Sequence, residues 1–207
     1  MPKPTPARFR AVVVGVSSGG MRALKLLLGQ LPADFPLPLL VVQHISPDAG
    51  DGLARLLDDL CAIRVKEADE REAAVPATAY LAPPNYHLLV EKDGILALSA
   101  DPPVSHARPS IDVLFESAAE VFGPELIGVV LTGANFDGSQ GLKAIKQKGG
   151  VAIVQDPADA AAQQMPLSAL AATEVDYVLA LDEIAPLLKK LAALRSGLSP
   201  HGDVLYG

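Results

Sequence analysis

Short, β-branched apolar runs alternate along the chain with segments whose apolar residues recur every three or four positions. Runs of the first kind fall at 11–16, 37–44, 63–67, 79–82, 126–132, 151–155 and 175–181. Segments of helical period lie at 20–30, 50–60, 110–122, 138–148, 158–163 and 183–195. Strands that take turns with helices predict an α/β fold, a doubly wound and mainly parallel sheet covered by helices. The clearest helix opens at Ser110, a residue suited to cap it, and stacks Ile111, Leu114, Phe115, Ala118 and Phe122 on one face before Gly123-Pro124 stops it. One segment breaks the alternation: within 87–98, Asp93-Gly94 separates two β-prone runs, which predicts an antiparallel hairpin inserted into or flanking the sheet.

With 207 residues and no polar, low-complexity stretch to divide it, the sequence reads as one folded unit over 11–195, between a flexible segment at 1–10 and a tail at 196–207. A net charge of -7 argues against broad binding to nucleic acid or to an anionic membrane, since both need a basic face. Lys3, Arg8 and Arg10 precede an apolar run as in an export signal, but that run ends at Val16. No later run is long enough to span a bilayer, so a cytoplasmic protein that does not insert into membranes is expected. The lone Cys61 has no disulfide partner and reads as a small buried hydrophobe. Neither a metal nor a cofactor is expected, because no His/Cys/carboxylate group has ligand spacing.

In a doubly wound sheet, residues just past the carboxyl ends of the strands meet in one crevice. The first run delivers Ser17 and Ser18 into the bend Gly15-Val16-Ser17-Ser18-Gly19-Gly20; the second ends in Gln43-His44; the run at 126–132 leads through Gly133, Ala134, Asn135 and Phe136 to Asp137. A serine hydroxyl needs an imidazole to take its proton and a carboxylate to orient that imidazole, and Ser17, His44 and Asp137 can fill those parts. Backbone N–H groups at the start of the 20–30 helix would hold the oxyanion. Each residue also has a plainer reading: the bend suits a phosphate or a tight turn, His44 a hydrogen-bonded core position, and Asp137 the cap of the helix that follows. Asp156 is a rival carboxylate. Arg108 pairs either with an acidic group of a substrate or with Asp112, His106 sits in a loop over the crevice, and His87 and His201 are expected in solvent.

At these positions the sequence resembles the catalytic domain of the CheB-type chemotaxis receptor methylesterases. The likeness lies in Gly15-Val16-Ser17-Ser18-Gly19-Gly20, Gln43-His44-Ile45-Ser46-Pro47, Leu131-Thr132-Gly133 and Asp137-Gly138. It extends to Leu81-Ala82-Pro83, Arg108-Pro109-Ser110-Ile111-Asp112, Gln155-Asp156-Pro157-Ala158 and Met165-Pro166, and so runs from about Ala11 to about Leu194. What the resemblance implies is hydrolysis of glutamate γ-methyl esters on methyl-accepting chemoreceptors or similar helical signalling proteins, often with glutamine deamidation. Ser17 would be the nucleophile, His44 the base and Asp137 its orienting partner, with Ser18, Gly19, Gly20, Ala134 and Arg108 around substrate and oxyanion. Ala134-Asn135-Phe136 departs from the family's usual Met-Gly-Asn, which raises the alternative of a degenerate protein-binding module of a chemosensory pathway. About ten residues stand before the first strand where the family's usual form carries a receiver domain and linker, so control by an attached receiver is not expected of this sequence.

Overall fold

The computed structural model describes residues 9–45 and 52–194. The predicted tail, His201, Ser46-Pro47, most of the segment at 1–10 and the ends of two predicted helices, at 50 and at 195, lie outside the described residues. The strands are β1 (Ala11–Val16), β2 (Leu39–Gln43), β3 (Arg64–Glu67), β4 (Thr78–Leu81), β5 (His87–Val90), β6 (Leu96–Ser99), β7 (Leu126–Val130), β8 (Val151–Gln155) and β9 (Tyr177–Leu179). The helices are α1 (Gly20–Gly29), α2 (Gly52–Leu60), α3 (Ile111–Phe122), α4 (Ser139–Gln147), α5 (Gln164–Ala172) and α6 (Leu181–Ala192). No described helix is long and apolar enough to cross a membrane.

Seven strands form a parallel sheet in the order β3-β4-β2-β1-β7-β8-β9. A strand covered on both faces is apolar at every position rather than at every second one, and all six residues of β1 are buried. Its side chains divide between two cores. Val12, Val14 and Val16 join Leu24 and Leu27 of α1, Leu57 of α2 and Ile184 and Leu188 of α6 on one face. Ala11 and Val13 join Phe115 of α3, Ile145 of α4, Met165 of α5 and Leu88 and Leu96 of the hairpin on the other. The predicted hairpin is a separate antiparallel sheet, with His87 opposite Ser99 and Val90 opposite Leu96. Asp93 and Gly94 both take positive φ at its turn.

β1 lies between β2 and β7, so the chain leaves it to one side and later returns to the other. The loops beyond these three carboxyl ends therefore diverge and open a crevice. Backbone hydrogen bonds carry the ladder past the strands themselves: Ser17 N–H donates to the Thr132 carbonyl at 2.9 Å, and His44 N–H to the Val16 carbonyl at 3.1 Å. Ser17 is thereby held between the ends of its two neighbours.

Two expectations are corrected. Residues 158–163 are a turn-rich loop rather than a helix, and the helix comes after it, as α5. The loop is fastened from outside: Thr132 Oγ1 accepts the Ala162 N–H at 2.9 Å, Gly133 N–H donates to the Ala162 carbonyl and Met165 N–H to the Gly133 carbonyl. Pro166 reads as a helix breaker but falls in the first turn of α5, where its missing N–H costs no helical bond. His87 is not in solvent. It is 1% exposed, its Nδ1 accepting the Ser110 N–H at 3.1 Å and its Nε2 meeting the Pro102 carbonyl at 3.2 Å.

Candidate active site

Asp137 follows β7, and its carboxylate points not at the helix after it but at the start of α3. There Oδ2 accepts the Ile111 N–H at 2.7 Å, and Oδ1 accepts the Asp112 N–H at 3.0 Å and the Ser110 hydroxyl at 2.9 Å. The cap expected from Ser110 is thus supplied by Asp137, with the serine hydroxyl as a donor to it. Gly138 N–H adds a further bond at 3.1 Å, and Nε2 of His44 stands 2.8 Å from Oδ2. Burial alone would push this carboxyl up, but the His44 bond and the α3 amides outweigh it and hold it below the usual carboxylate range.

An ionised carboxylate can only accept, so the His44 nitrogen that faces it carries the hydrogen. That leaves Nδ1 as the acceptor of the neutral ring, and the side-chain amide of Asn135 meets it at 3.3 Å. Asn135 is itself held in a tight turn, its Oδ1 accepting the Asp137 N–H at 3.2 Å. Ser17 and His44 share one cleft of about 460 Å³ with Ile45, Ser105, His106, Ala107, Arg108, Pro109, Asn135 and Phe136. The side-chain bonds of His44 run to Asp137 and Asn135, not to Ser17. A second, more apolar hollow of about 430 Å³ also borders Ser17, against Met21, Ile45 and Leu53.

Two local devices set the position of Ser17. The Gln43 amide donates to the carbonyls of both Ser17, at 3.1 Å, and His44, at 2.8 Å, so that one buried side chain clamps the two loops together. Gly133 lets the loop after β7 come against the serine: a Cβ there would lie 3.0 Å from Ser17 Cβ and collide with Met165. Nothing in the sequence pattern assigns a site role to Gln43, Asn135 or Ser110. For Asn135 a signal existed in its place two residues before an aspartate.

The other predicted residues divide. Ser18, Gly19 and Gly20 lie at the mouth of α1, where Gly19 takes a left-handed conformation (φ 82°) as the residue before the helix. Gly20 N–H, however, donates to the Ser17 carbonyl at 2.8 Å, so it is not free for an oxyanion or a phosphate. Ala134 stands between Gly133 and Asn135 on the same loop. Arg108 borders the cleft, but its guanidinium is committed elsewhere: it donates to Asn85 Oδ1 at 2.6 and 3.0 Å and to the carbonyls of Ala100 and Asp101 at 2.6 and 3.0 Å. It does not pair with Asp112, whose carboxylate takes the Gly141 N–H at 2.7 Å. Burial raises the Asp112 carboxyl to about 6, the Gly141 bond opposing and the charges of Asp137 and Glu116 adding. Asp156 is no rival to Asp137, since its side chain accepts the Ala158 N–H of its own turn at 2.8 Å. His106 lines the cleft wall, and burial pushes the Cys61 thiol up, away from reactivity.

Known proteins share this sequence and fold. A protein of Leptospira interrogans, named for protein-glutamate methylesterase and protein-glutamine glutaminase, is 52% identical over 183 residues, which are 88% of this chain and 95% of that one. The protein-glutamate methylesterase FrzG of Myxococcus xanthus is 41% identical over 186 residues, and the chain spans only 55% of its length. The crystal structure of the Thermotoga maritima CheB methylesterase catalytic domain superposes with a TM-score of 0.85 at 34% identity, covering 88% of this chain and 98% of that one. The CheB methylesterase profile matches residues 12–188. A seven-stranded parallel sheet with a histidine–aspartate pair at its switch point, matched over that span, places the chain in the CheB methylesterase family.

Proposed function

We propose that the chain is a serine esterase that removes γ-methyl groups from glutamate side chains of methyl-accepting chemoreceptors or similar helical signalling proteins in the cytoplasm. The observation that carries the reading is the His44–Asp137 bond of 2.8 Å in the cleft that Ser17 borders. Ser17 Oγ attacks the ester carbonyl while His44 Nδ1 takes its proton, and Asp137 steadies the imidazolium through Nε2. Collapse of the tetrahedral intermediate expels methanol, which carries off the proton from Nδ1. Water then enters by the same route and releases the glutamate. A glutamine would follow the same path with ammonia as the leaving group.

Backbone N–H groups of Ser18, Gly19 and Ala134 are the remaining donors for the oxyanion, Gly20 being occupied; one such donor is worth about 3 kcal/mol in the transition state. Arg108 acts on substrate indirectly, by fixing the wall of the cleft. The apolar hollow beside Met21 and Leu53 suits a neutral methyl ester on the apolar flank of a helix better than a free carboxylate. The folded unit that does this is proposed to be 11–195.

The test is covalent capture. Incubation with a fluorophosphonate, followed by peptide mass spectrometry, is expected to place the adduct on Ser17, and Ser17→Ala to abolish it. An adduct that persists in Ser17→Ala, or none in the wild type, contradicts the assignment.

A further inference from the structure

Asp137 accepts the hydrogen bond of His44 Nε2–H, so Nδ1 is the only ring nitrogen left to receive a proton from Ser17. In the resting site that atom already has a partner, the Asn135 amide at 3.3 Å. The contact is built rather than incidental. Asn135 Oδ1 is held by the Asp137 N–H, which turns the NH₂ end of the same side chain toward the imidazole. One asparagine thus spans both members of the histidine–aspartate pair, from the residue whose sequence context departs from the family's usual pattern.

On the reading that Ser17, His44 and Asp137 act together, we propose that Asn135 is a positioning residue that keeps the Nδ1 lone pair occupied until substrate arrives. The serine hydroxyl and the amide compete for one acceptor, and Ser17 gains a base only when Asn135 lets go. The consequence is a nucleophile held back from small electrophiles that do not fill the cleft. Other charged or titratable groups near the ring are Asp137 on its far nitrogen, Asp112 behind Asp137, and His106 and Arg108 across the cleft. All of them remain when Asn135 alone is replaced.

The test compares the rate of inactivation by a small fluorophosphonate in the wild type, Asn135→Ala and Ser17→Ala. In that reaction Ser17 Oγ bonds to phosphorus, fluoride leaves, and the hydroxyl proton passes to Nδ1. Loss of one competing hydrogen bond is expected to speed inactivation by about 2- to 10-fold in Asn135→Ala. The wild type is also expected to show a scalar coupling between the Asn135 amide nitrogen and His44 Nδ1 in nitrogen-15 spectra, which a merely structural asparagine would lack. Should Asn135→Ala fail to fold, Asn135→Ser keeps a hydroxyl oxygen to accept the Asp137 N–H while withdrawing the longer amide arm that reaches Nδ1, with the same acceleration expected. Labelling of the wild type with no acceleration in the folded variant overturns the role of Asn135 alone. No labelling of the wild type removes the Ser17 reading, and the role of Asn135 falls with it.

Discussion

Asp112 and Asp137 exchange helix caps. Asp137, just before α4, accepts the Asp112 N–H at the start of α3 at 3.0 Å, and Asp112 accepts the Gly141 N–H in the first turn of α4 at 2.7 Å. Each helix start, with its unpaired amides and positive dipole end, is closed by a carboxylate borrowed from the other. The exchange holds α3 and α4 together beneath the His44–Asp137 pair, and it sets two buried carboxylates side by side. They do not share the strain equally: Asp137 keeps its charge through His44 and the α3 amides, while burial pushes Asp112 up to about 6.

A pH dependence of stability follows. Between the ordinary carboxylate value of 3.8 and about 6, folded Asp112 holds a proton that the unfolded chain has released. Its contribution is therefore full below that window and lost as pH rises through it, with a ceiling of about 3 kcal/mol. Asp112→Asn keeps an oxygen for the Gly141 N–H and removes the titration. Urea unfolding from pH 4 to pH 6.5 is expected to show a flatter fall in the variant than in the wild type, and equal slopes would contradict the coupling. Asp137→Ala strips partners from four buried donors besides His44 and is expected to cost about 2–4 kcal/mol at neutral pH.

Gln43 joins the Ser17 loop to the His44 loop through a single amide. Gln43→Leu keeps the bulk but removes the donor of the His44 carbonyl and leaves the Ser17 carbonyl with the Gly20 N–H alone, a loss of about 1–3 kcal/mol by urea unfolding. Because it displaces Ser17 relative to His44 rather than the substrate, kcat is expected to fall about 10- to 100-fold with KM little altered. A rise in KM at constant kcat would place Gln43 in substrate binding instead.

Arg108 is bonded to Asn85 and two loop carbonyls, so its effect on catalysis should pass through that loop. Asn85→Ala is expected to reproduce a large part of the Arg108→Ala rise in KM, and the double variant to be less impaired than the product of the two. An Asn85→Ala enzyme with wild-type kinetics beside a crippled Arg108→Ala would mean that the guanidinium meets substrate directly.

The alternation of apolar runs made the layered sheet readable, because strands buried on both faces must be apolar throughout and covering helices one-sided. Seven runs became the seven strands of the main sheet, and the order of the chain through β1, β2 and β7 brought Ser17, His44 and Asp137 to one edge. What the sequence hid were interactions fixed by tertiary approach. The helix after residue 163 was concealed by Pro166, harmless in a first turn, and by a loop that Thr132 fastens from a distant strand. The direction of the Asp137 cap, toward α3 rather than α4, depends on how two helices meet, which no local spacing encodes. The occupation of His44 by Asn135 and the burial of His87 against Ser110 are of the same kind.

The central claim is that one serine, one imidazole and one carboxylate act as a unit on a methyl ester. Methanol release from a methylated chemoreceptor signalling fragment, measured for the wild type, Ser17→Ala, His44→Ala and the double variant, bears on it most directly. The account predicts turnover by the wild type, losses of about 10³-fold or more in each single variant, and no further loss in the double. Wild-type turnover in His44→Ala, or additive losses in the double variant, would contradict it.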